Sequence, residues 1–229
     1  MSIDKKTDVI KTKRLVIVPL SDEELRERIE TEPDDEMKKA LGDMLSGCES
    51  NPESRLWYTE WQARLKTTGE VVGSLDFKGA PNEEGEVEIG YGLNEGYCGQ
   101  GYAAESAKAM INWAFNQPEG PYYIMAETAP DNAASQKLLQ KLGFKETGRN
   151  GGEGPIFELE SPQTSWLAIF MCLGMSIGMM FGTSLGNNSV GMCLGVALGV
   201  AIGASMDADS NKKRAERKAR RDEKYKTDM

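Results

Sequence analysis

The chain contains no histidine. That one absence removes Ser–His and Cys–His nucleophile pairs, histidine general bases and histidine-ligated zinc. Cysteine is sparse: Cys48, Cys98, Cys172 and Cys193 lie far apart, with no C-x-x-C pair. Neither a zinc knuckle nor a disulfide framework is expected, no metal is implied, and a reducing compartment fits. Positive charge is in deficit, with 27 Lys+Arg against 36 Asp+Glu and a net charge of −9. Phosphate contacts need clustered Lys and Arg, so this balance argues against a nucleic-acid binder. The opening, Met1 to Lys13, lacks an apolar run, and no secretory signal is expected there.

What is present is unevenly spread over the 229 residues. Residues 1–162 carry 18 basic and 30 acidic side chains, whereas residues 163–211 carry no Lys or Arg and only Asp207 and Asp209. Residues 212–229 return to a basic excess, nine against four. Three compositions imply three environments: a globular domain at 1–162, an apolar segment at 163–206 and a charged tail at 207–229.

The first segment reads as α/β, a mixed sheet flanked by helices. Arg14 to Pro19 is a β-branched strand, and Ser21-Asp-Glu-Glu24 a capping-box helix start. About Asp34 to Ser54 is acidic and turn-rich, and broken helix is expected. Tyr58 to Leu65 and Val71 to Lys78 form a hairpin over a short glycine-bearing turn. Glu86 to Leu93 is a further strand, followed by a helix from Gly101 to Asn116. Tyr122 to Thr128 is a strand and Asp131 to Leu142 a helix stopped by Gly143. Phe144 to Arg149 and Ile156 to Glu160 finish the sheet.

The strand-to-helix junction reads Asn94-Glu-Gly-Tyr-Cys-Gly-Gln-Gly-Tyr-Ala-Ala-Glu105. Gly96, Gly99 and Gly101 let the backbone approach a ligand, with N–H groups gathered at the positive end of a helix dipole. No Gly-Lys-Ser/Thr follows, so it is not a P-loop, and the spacing is not that of a dinucleotide fold. Simple turn geometry is the other reading of such a stretch.

That junction is joined by Glu88-Ile-Gly-Tyr91 before it, by Asn132-Ala-Ala-Ser-Gln-Lys-Leu-Leu-Gln-Lys-Leu-Gly-Phe144 after it, and by the entry Ile10-Lys-Thr-Lys-Arg-Leu-Val16. In this order, over roughly residues 10–160, the set resembles the GNAT family of N-acetyltransferases. It is most similar to ribosomal-protein N-terminal acetyltransferases of the Rim type and their small-molecule relatives. The resemblance implies an acetyl-CoA co-substrate and direct acetyl transfer to a primary amine, a protein N-terminus or a small cationic amine. It places the pyrophosphate on the loop Gly96, Tyr97, Cys98, Gly99, Gln100, Gly101, Tyr102 and Ala103. The strand Glu88 to Leu93, with Tyr91 and Leu93, would hold the pantetheine arm and polarise the thioester carbonyl. Asn132, with Ser135 beside it, would bond the cofactor arm; capping of a helix is the alternative role for both.

A base must take the amine's proton, and without histidine a carboxylate is required. The strand that borders the acceptor site in the family offers Glu88 first, then Glu86, with Glu127 on the next strand. Each is otherwise a solvated strand-edge carboxylate. Two departures stand out: Gly96 occupies the place of the family's Arg or Gln, and Leu139 that of its tyrosine acid. Cys98 is read as a small apolar filler, with a redox-sensitive thiol as the alternative. The acidic domain would draw cationic acceptors by steering, and Trp57, Tyr58 and Trp61 either line the acceptor cleft or belong to the core.

The apolar segment carries Gly174, Gly178, Gly182 and Gly186, then Gly191, Gly195, Gly199 and Gly203, each set spaced by four. Such stripes let helix backbones touch, as at small-xxx-small membrane interfaces. Ser165–Leu185 and Ser189–Met206 would extend about 31 and 27 Å, against a hydrocarbon core of about 30 Å. With Gly186-Asn-Asn-Ser189 as the turn, both ends fall on one side. The basic stretch from Lys212 to Arg221 makes that side cytoplasmic by the positive-inside rule. The expectation is an acetyltransferase anchored in the cytoplasmic membrane by a glycine-zipper hairpin that also supports homo-oligomers. The alternatives are an acyl-CoA-binding module without transfer, or a glycine-zipper membrane assembly regulated by the globular domain. A soluble oligomerising or shallow hairpin also fits the segment.

Overall fold

A computed structural model describes residues 9–163, 165–184 and 186–227. The chain divides into two compact units, Met1–Ser161 and Pro162–Met229. Each is described by itself.

The first unit contains β1 (Ile10–Lys11), β2 (Leu15–Pro19), α1 (Asp22–Thr31), α2 (Asp35–Ser50), a 3₁₀ turn (Pro52–Trp57), β3 (Trp61–Leu65), β4 (Val71–Phe77) and β5 (Glu86–Leu93). It continues through α3 (Tyr102–Phe115), β6 (Tyr123–Glu127), α4 (Ala133–Leu142), β7 (Lys145–Asn150) and β8 (Pro155–Glu160). The strands form one eight-stranded sheet in the order β1-β2-β3-β4-β5-β6-β8-β7. All neighbours are antiparallel except β5 and β6, which α3 joins as a parallel crossover.

Alternation along the strands decides what each face carries. Leu15, Ile17, Trp61, Ala63, Leu75, Phe77, Val87 and Ile89 are buried together with Ala107, Met110, Ile111 and Ala114 of α3. Trp57, Phe77 and Trp61 close on Trp113 with ring centroids 4.9 to 5.9 Å apart. Trp57 and Trp61 are therefore core residues, and only Tyr58 of the three aromatics reaches a cleft. The residues between them, Glu60, Asp76, Glu88 and Gly90, take the opposite face. There α1 and α2 enclose a smaller apolar cluster of Leu20, Leu25, Leu41 and Cys48.

Two sequence expectations are corrected. The acidic stretch from Asp34 is one continuous 16-residue helix, because Asp34 accepts from the Met37 N–H and Leu41 and Cys48 bury one stripe. The segment expected to open a strand at Tyr58 leaves a 3₁₀ turn begun by Pro52, and pairing starts only at Trp61. The capping box before α1 forms as expected, Ser21 accepting from Glu24 N–H and Glu24 from Ser21 N–H. Ser21→Ala should cost about 1 kcal/mol in a denaturant titration; no change would show that the cap contributes nothing net.

The second unit is a pair of antiparallel helices, α5 (Trp166–Ser184) and α6 (Asn188–Thr227). Glycine faces glycine: Gly174 lies on Gly195 and Gly199, Gly178 on Gly191 and Gly195, and Gly182 on Asn188 and Gly191. The side chain of Asp207 accepts from the N–H groups of Trp166 (2.7 Å) and Leu167 (3.1 Å), so α6 caps the start of α5. Large apolar side chains, among them Leu173, Ile177, Phe181, Leu194 and Leu198, are exposed on the outside. Both helices are long and apolar enough to cross a membrane by length and composition. The second run, expected to stop at Met206, instead continues as helix through the basic stretch. Leu185, the expected end of the first run, lies outside the described residues.

Candidate active site

The glycine loop is built as an open helix entrance. Gly96, Gly99 and Gly101 all hold φ between 75° and 90°, a left-handed conformation that a side chain disfavours. Gln100 Nε2 donates to the Gly96 carbonyl at 2.9 Å and closes the loop on itself. Ser21, Asp34 and Asn132 cap their helices with side chains, but α3 begins at Gly101 with no side-chain cap. Among the described residues its first N–H groups therefore have no capping side chain, a geometry that suits an anion. Tyr97 and Tyr102 meet edge to face behind the loop, Ala103 follows in the first turn of α3, and Cys98 is exposed.

Arg14 anchors this entrance. Its Nε donates to Glu105 at 2.7 Å, its Nη1 to the Gln100 carbonyl at 2.9 Å, and its guanidinium lies 4.3 Å from the centre of the Tyr102 ring. Glu105 also accepts from the Thr12 hydroxyl (2.6 Å) and the Arg14 N–H (2.7 Å). Burial would push its pKa up, but these donors outweigh burial and hold the carboxyl below the usual range. Neither Arg14 nor Glu105 was expected in the site. The pair is sequence-distant, and only the fold brings it together.

Beside the loop the sheet parts. β5 pairs with β4 as far as Leu93, but with β6 only from Glu86 to Glu88. From Ile89 to Leu93 the β6 side of β5 has no strand partner among the described residues. Across this gap the Tyr91 hydroxyl meets Ser135 Oγ of α4 at 2.7 Å, and burial pushes the Tyr91 phenol up. Asn132 Oδ1 accepts from the Ser135 N–H at 3.0 Å as the cap of α4. Leu139 is buried in the core, so no hydroxyl stands there.

Under α2 lies a cavity of about 570 Å³, walled by Met37, Met44, Tyr58, Ile89 and Tyr91 and carrying Asp43, Asp76, Lys78, Glu88, Glu127 and Glu153. Glu88 on β5 and Lys78, the residue after β4, stand opposite each other and form an ion pair. Burial would lower the Lys78 ammonium, but Glu88, Glu153 and Glu127 more than offset it and raise it. Glu127 accepts from the N–H groups of Glu153 and of Gly154 (2.8 Å). Glu86 is buried outside this cavity, held by Asn82 Nδ2 at 3.2 Å. Of the three expected carboxylates, the structure therefore brings Glu88 and Glu127 together and sends Glu86 elsewhere.

Asp76, which sequence reasoning passed over, lies on the cavity wall. Burial pushes it up to about 6; Lys78 opposes that rise, and Glu60 and Glu88 reinforce it. Among the described residues, no hydrogen-bond donor is paired with its carboxylate.

Residues 11–145 match the family model described as an acetyltransferase (GNAT) domain. The uncharacterized N-acetyltransferase YjdG of Bacillus subtilis is 40% identical over 87 residues, 38% of this chain and 51% of that protein. The uncharacterized N-acetyltransferase YoaA of the same organism is 30% identical over 88 residues, covering 38% and 49%. The chain thus spans about half the length of the curated relatives it matches. Among solved structures, the ribosomal-protein alpha-N-acetyltransferase RimL in complex with coenzyme A aligns with a TM-score of 0.53 at 14% identity, over 67% of this chain and 98% of that one. A ribosomal-protein alanine acetyltransferase from Vibrio fischeri aligns with a TM-score of 0.53 at 17% identity, over 68% and 97%. These two likenesses show the mixed α/β fold, and the family model covers well over half of the chain. The chain belongs to the GNAT acetyltransferase family.

Proposed function

We propose that the protein moves the acetyl group of acetyl-CoA to the primary amine of a cationic acceptor. The observation that carries this reading is the glycine-opened, side-chain-uncapped start of α3 beside the gap between β5 and β6. The residues present suit the cofactor. Backbone N–H groups from Gly96 to Ala103 would hold the pyrophosphate, and the unpaired edge of β5 through Tyr91 and Leu93 would take the pantetheine arm. Ser135 and Asn132 flank that arm. When bound, acetyl-CoA supplies an activated acyl carbon. The chain's own part is to orient it, to polarise its carbonyl with β5 N–H groups and to accept a proton. The acceptor's positive charge is read from the cavity, which holds five carboxylates and one ammonium. Its chemistry spans small amines and peptide N-termini.

Acetyl-CoA at about a hundred times its dissociation constant should stabilise the full-length protein by roughly 2.7 kcal/mol, read as a rise in Tm. A well-folded protein whose Tm does not move would sink the cofactor site. For the second unit, the exposed apolar surface of α5 and α6 supports a membrane anchor, with the basic end of α6 on the cytoplasmic side. Carbonate-washed membranes should retain the intact chain. Its appearance in the supernatant would refute spanning.

A further inference from the structure

We propose that Asp76 is the catalytic residue that takes the proton of the acceptor ammonium, beside a Glu88–Lys78 pair that stays fixed. The inference rests on the transfer reading above.

It follows from what each cavity carboxylate is already doing. Glu88 is matched by Lys78 across the strands, and Glu127 is occupied by the N–H groups of Glu153 and Gly154. Asp43 on α2 and Glu153 in the turn before β8 are exposed. A fully solvated carboxylate is a weak base with little influence on a buried amine. Asp76 remains, facing the cavity without a paired donor.

Its placement is specific. Asp76 stands opposite Gly90 in the β4–β5 ladder, and a Cβ on Gly90 would lie 2.6 Å from Asp76 Oδ1 and 3.1 Å from Oδ2. Gly90 therefore leaves room for the carboxylate to lie against β5, one residue before Tyr91. This is where the strand begins to lack its β6 partner, so the acid adjoins both the amine cavity and the edge assigned to the thioester arm. The charged groups around it are Lys78 just past the end of its own strand, Glu88 on β5 and Glu127 on β6. Glu153 and Asp43 lie at the cavity rim, and Glu60, paired with Arg28 of α1 at 3.1 Å, completes the set. The acidic surroundings and burial favour the protonated acid, which makes Asp76 a better proton acceptor than an ordinary aspartate.

The step balances. The acceptor enters as R–NH₃⁺, and one proton passes to the Asp76 carboxylate. The freed nitrogen lone pair attacks the thioester carbonyl carbon, forming C–N, and the C–S bond then breaks with its electron pair on sulfur. The second nitrogen proton goes to that thiolate, giving coenzyme A and the amide. Asp76 then releases its proton to solvent.

The test uses full-length protein in detergent with acetyl-CoA and four probe amines: 1,4-diaminobutane, lysine amide, and tetrapeptides beginning with alanine or serine. Transfer is followed by thiol release from pH 5 to 9. Asp76→Asn should lower kcat/KM about a hundredfold and remove the acid limb of the profile near pH 6. Acetyl-CoA affinity should hold within about twofold, since removing the half-buried Asp76 charge disturbs no cofactor contact. At pH 8 the Tm should not fall, because the asparagine relieves the cost of ionising a buried acid. Asp76→Ser gives the same test should the amide variant misfold. Wild-type transfer with an unchanged rate and acid limb in both variants would overturn Asp76 alone. A wild type that binds acetyl-CoA but acetylates none of the four amines would overturn the transfer reading, and this inference with it.

Discussion

Gly195→Val is expected to separate α5 from α6. A Cβ at Gly195 would overlap the Gly174 carbonyl oxygen and lie 2.8 Å from Gly178 Cα. These atoms are backbone, so no rotamer change relieves the overlap and the helices must part. Overpacking of this kind costs about 3 kcal/mol, or roughly a hundredfold in the opening equilibrium of the pair. Amide hydrogen exchange over residues 166–184, measured on detergent-solubilised full-length protein, should accelerate by that factor. Leu194→Ala is the matched control, since Leu194 is 64% exposed and faces away from α5. Equal exchange in Gly195→Val and Leu194→Ala would show that the glycines do not set the helix spacing.

Arg14→Ala should weaken acetyl-CoA binding by about tenfold while lowering stability by only about 1 kcal/mol. The stability cost is small because the Arg14 side chain is 40% exposed and its ion pair is screened. The binding cost is larger because that side chain touches Gln100, Tyr102 and Glu105 at once and ties them into one arrangement. Without it the loop must be ordered by the ligand, which subtracts from affinity. Calorimetric titration of acetyl-CoA against both proteins reads the difference; equal affinities would remove Arg14 from the site. The same cluster predicts a pH effect. Glu105 is held below the usual carboxylate range, so its contribution is present above that range and is lost as pH falls through its folded value. Acetyl-CoA binding should therefore survive from pH 8 down to about 5 and fail only at stronger acidity. In Glu105→Gln that acid-side loss should be absent and affinity reduced throughout. An unchanged affinity would show that the cluster does not support the loop.

Much of this was legible in the residues. Gly96, Gly99 and Gly101 at a strand-to-helix junction announced the loop, because few residues tolerate that backbone. Ser21 and Gly143 marked helix ends for equally local reasons. Glycines spaced by four foretold two helices that touch. The misreadings were non-local. The acidic, turn-rich composition from Asp34 made α2 look broken, yet Leu41 and Cys48 bury against α1 and Leu20, which overrides the local propensity. Asp76 carried no signal because its character depends on Gly90, fourteen positions away and fixed opposite it only by strand register. Arg14 and Glu105 likewise meet across more than ninety residues. The basic stretch from Lys212 reads as helix by its Lys, Arg, Glu and Ala content, but its continuity with the apolar run through Asp207 to Asn211 was not foreseen, because the change in composition reads as a boundary.

The short parallel ladder between β5 and β6 has a further consequence. Among the described residues, strand pairing joins β1 to β5 to the group β6, β8 and β7 through three residue pairs, Glu86–Glu88 with Tyr123–Met125. A sheet with so narrow a seam is mechanically two sheets hinged at one end. A ligand lying in the open end contacts both halves at once and acts as a missing strand. Bound protein should therefore unfold as one cooperative body, whereas unbound protein can lose β6, β7 and β8 ahead of the rest.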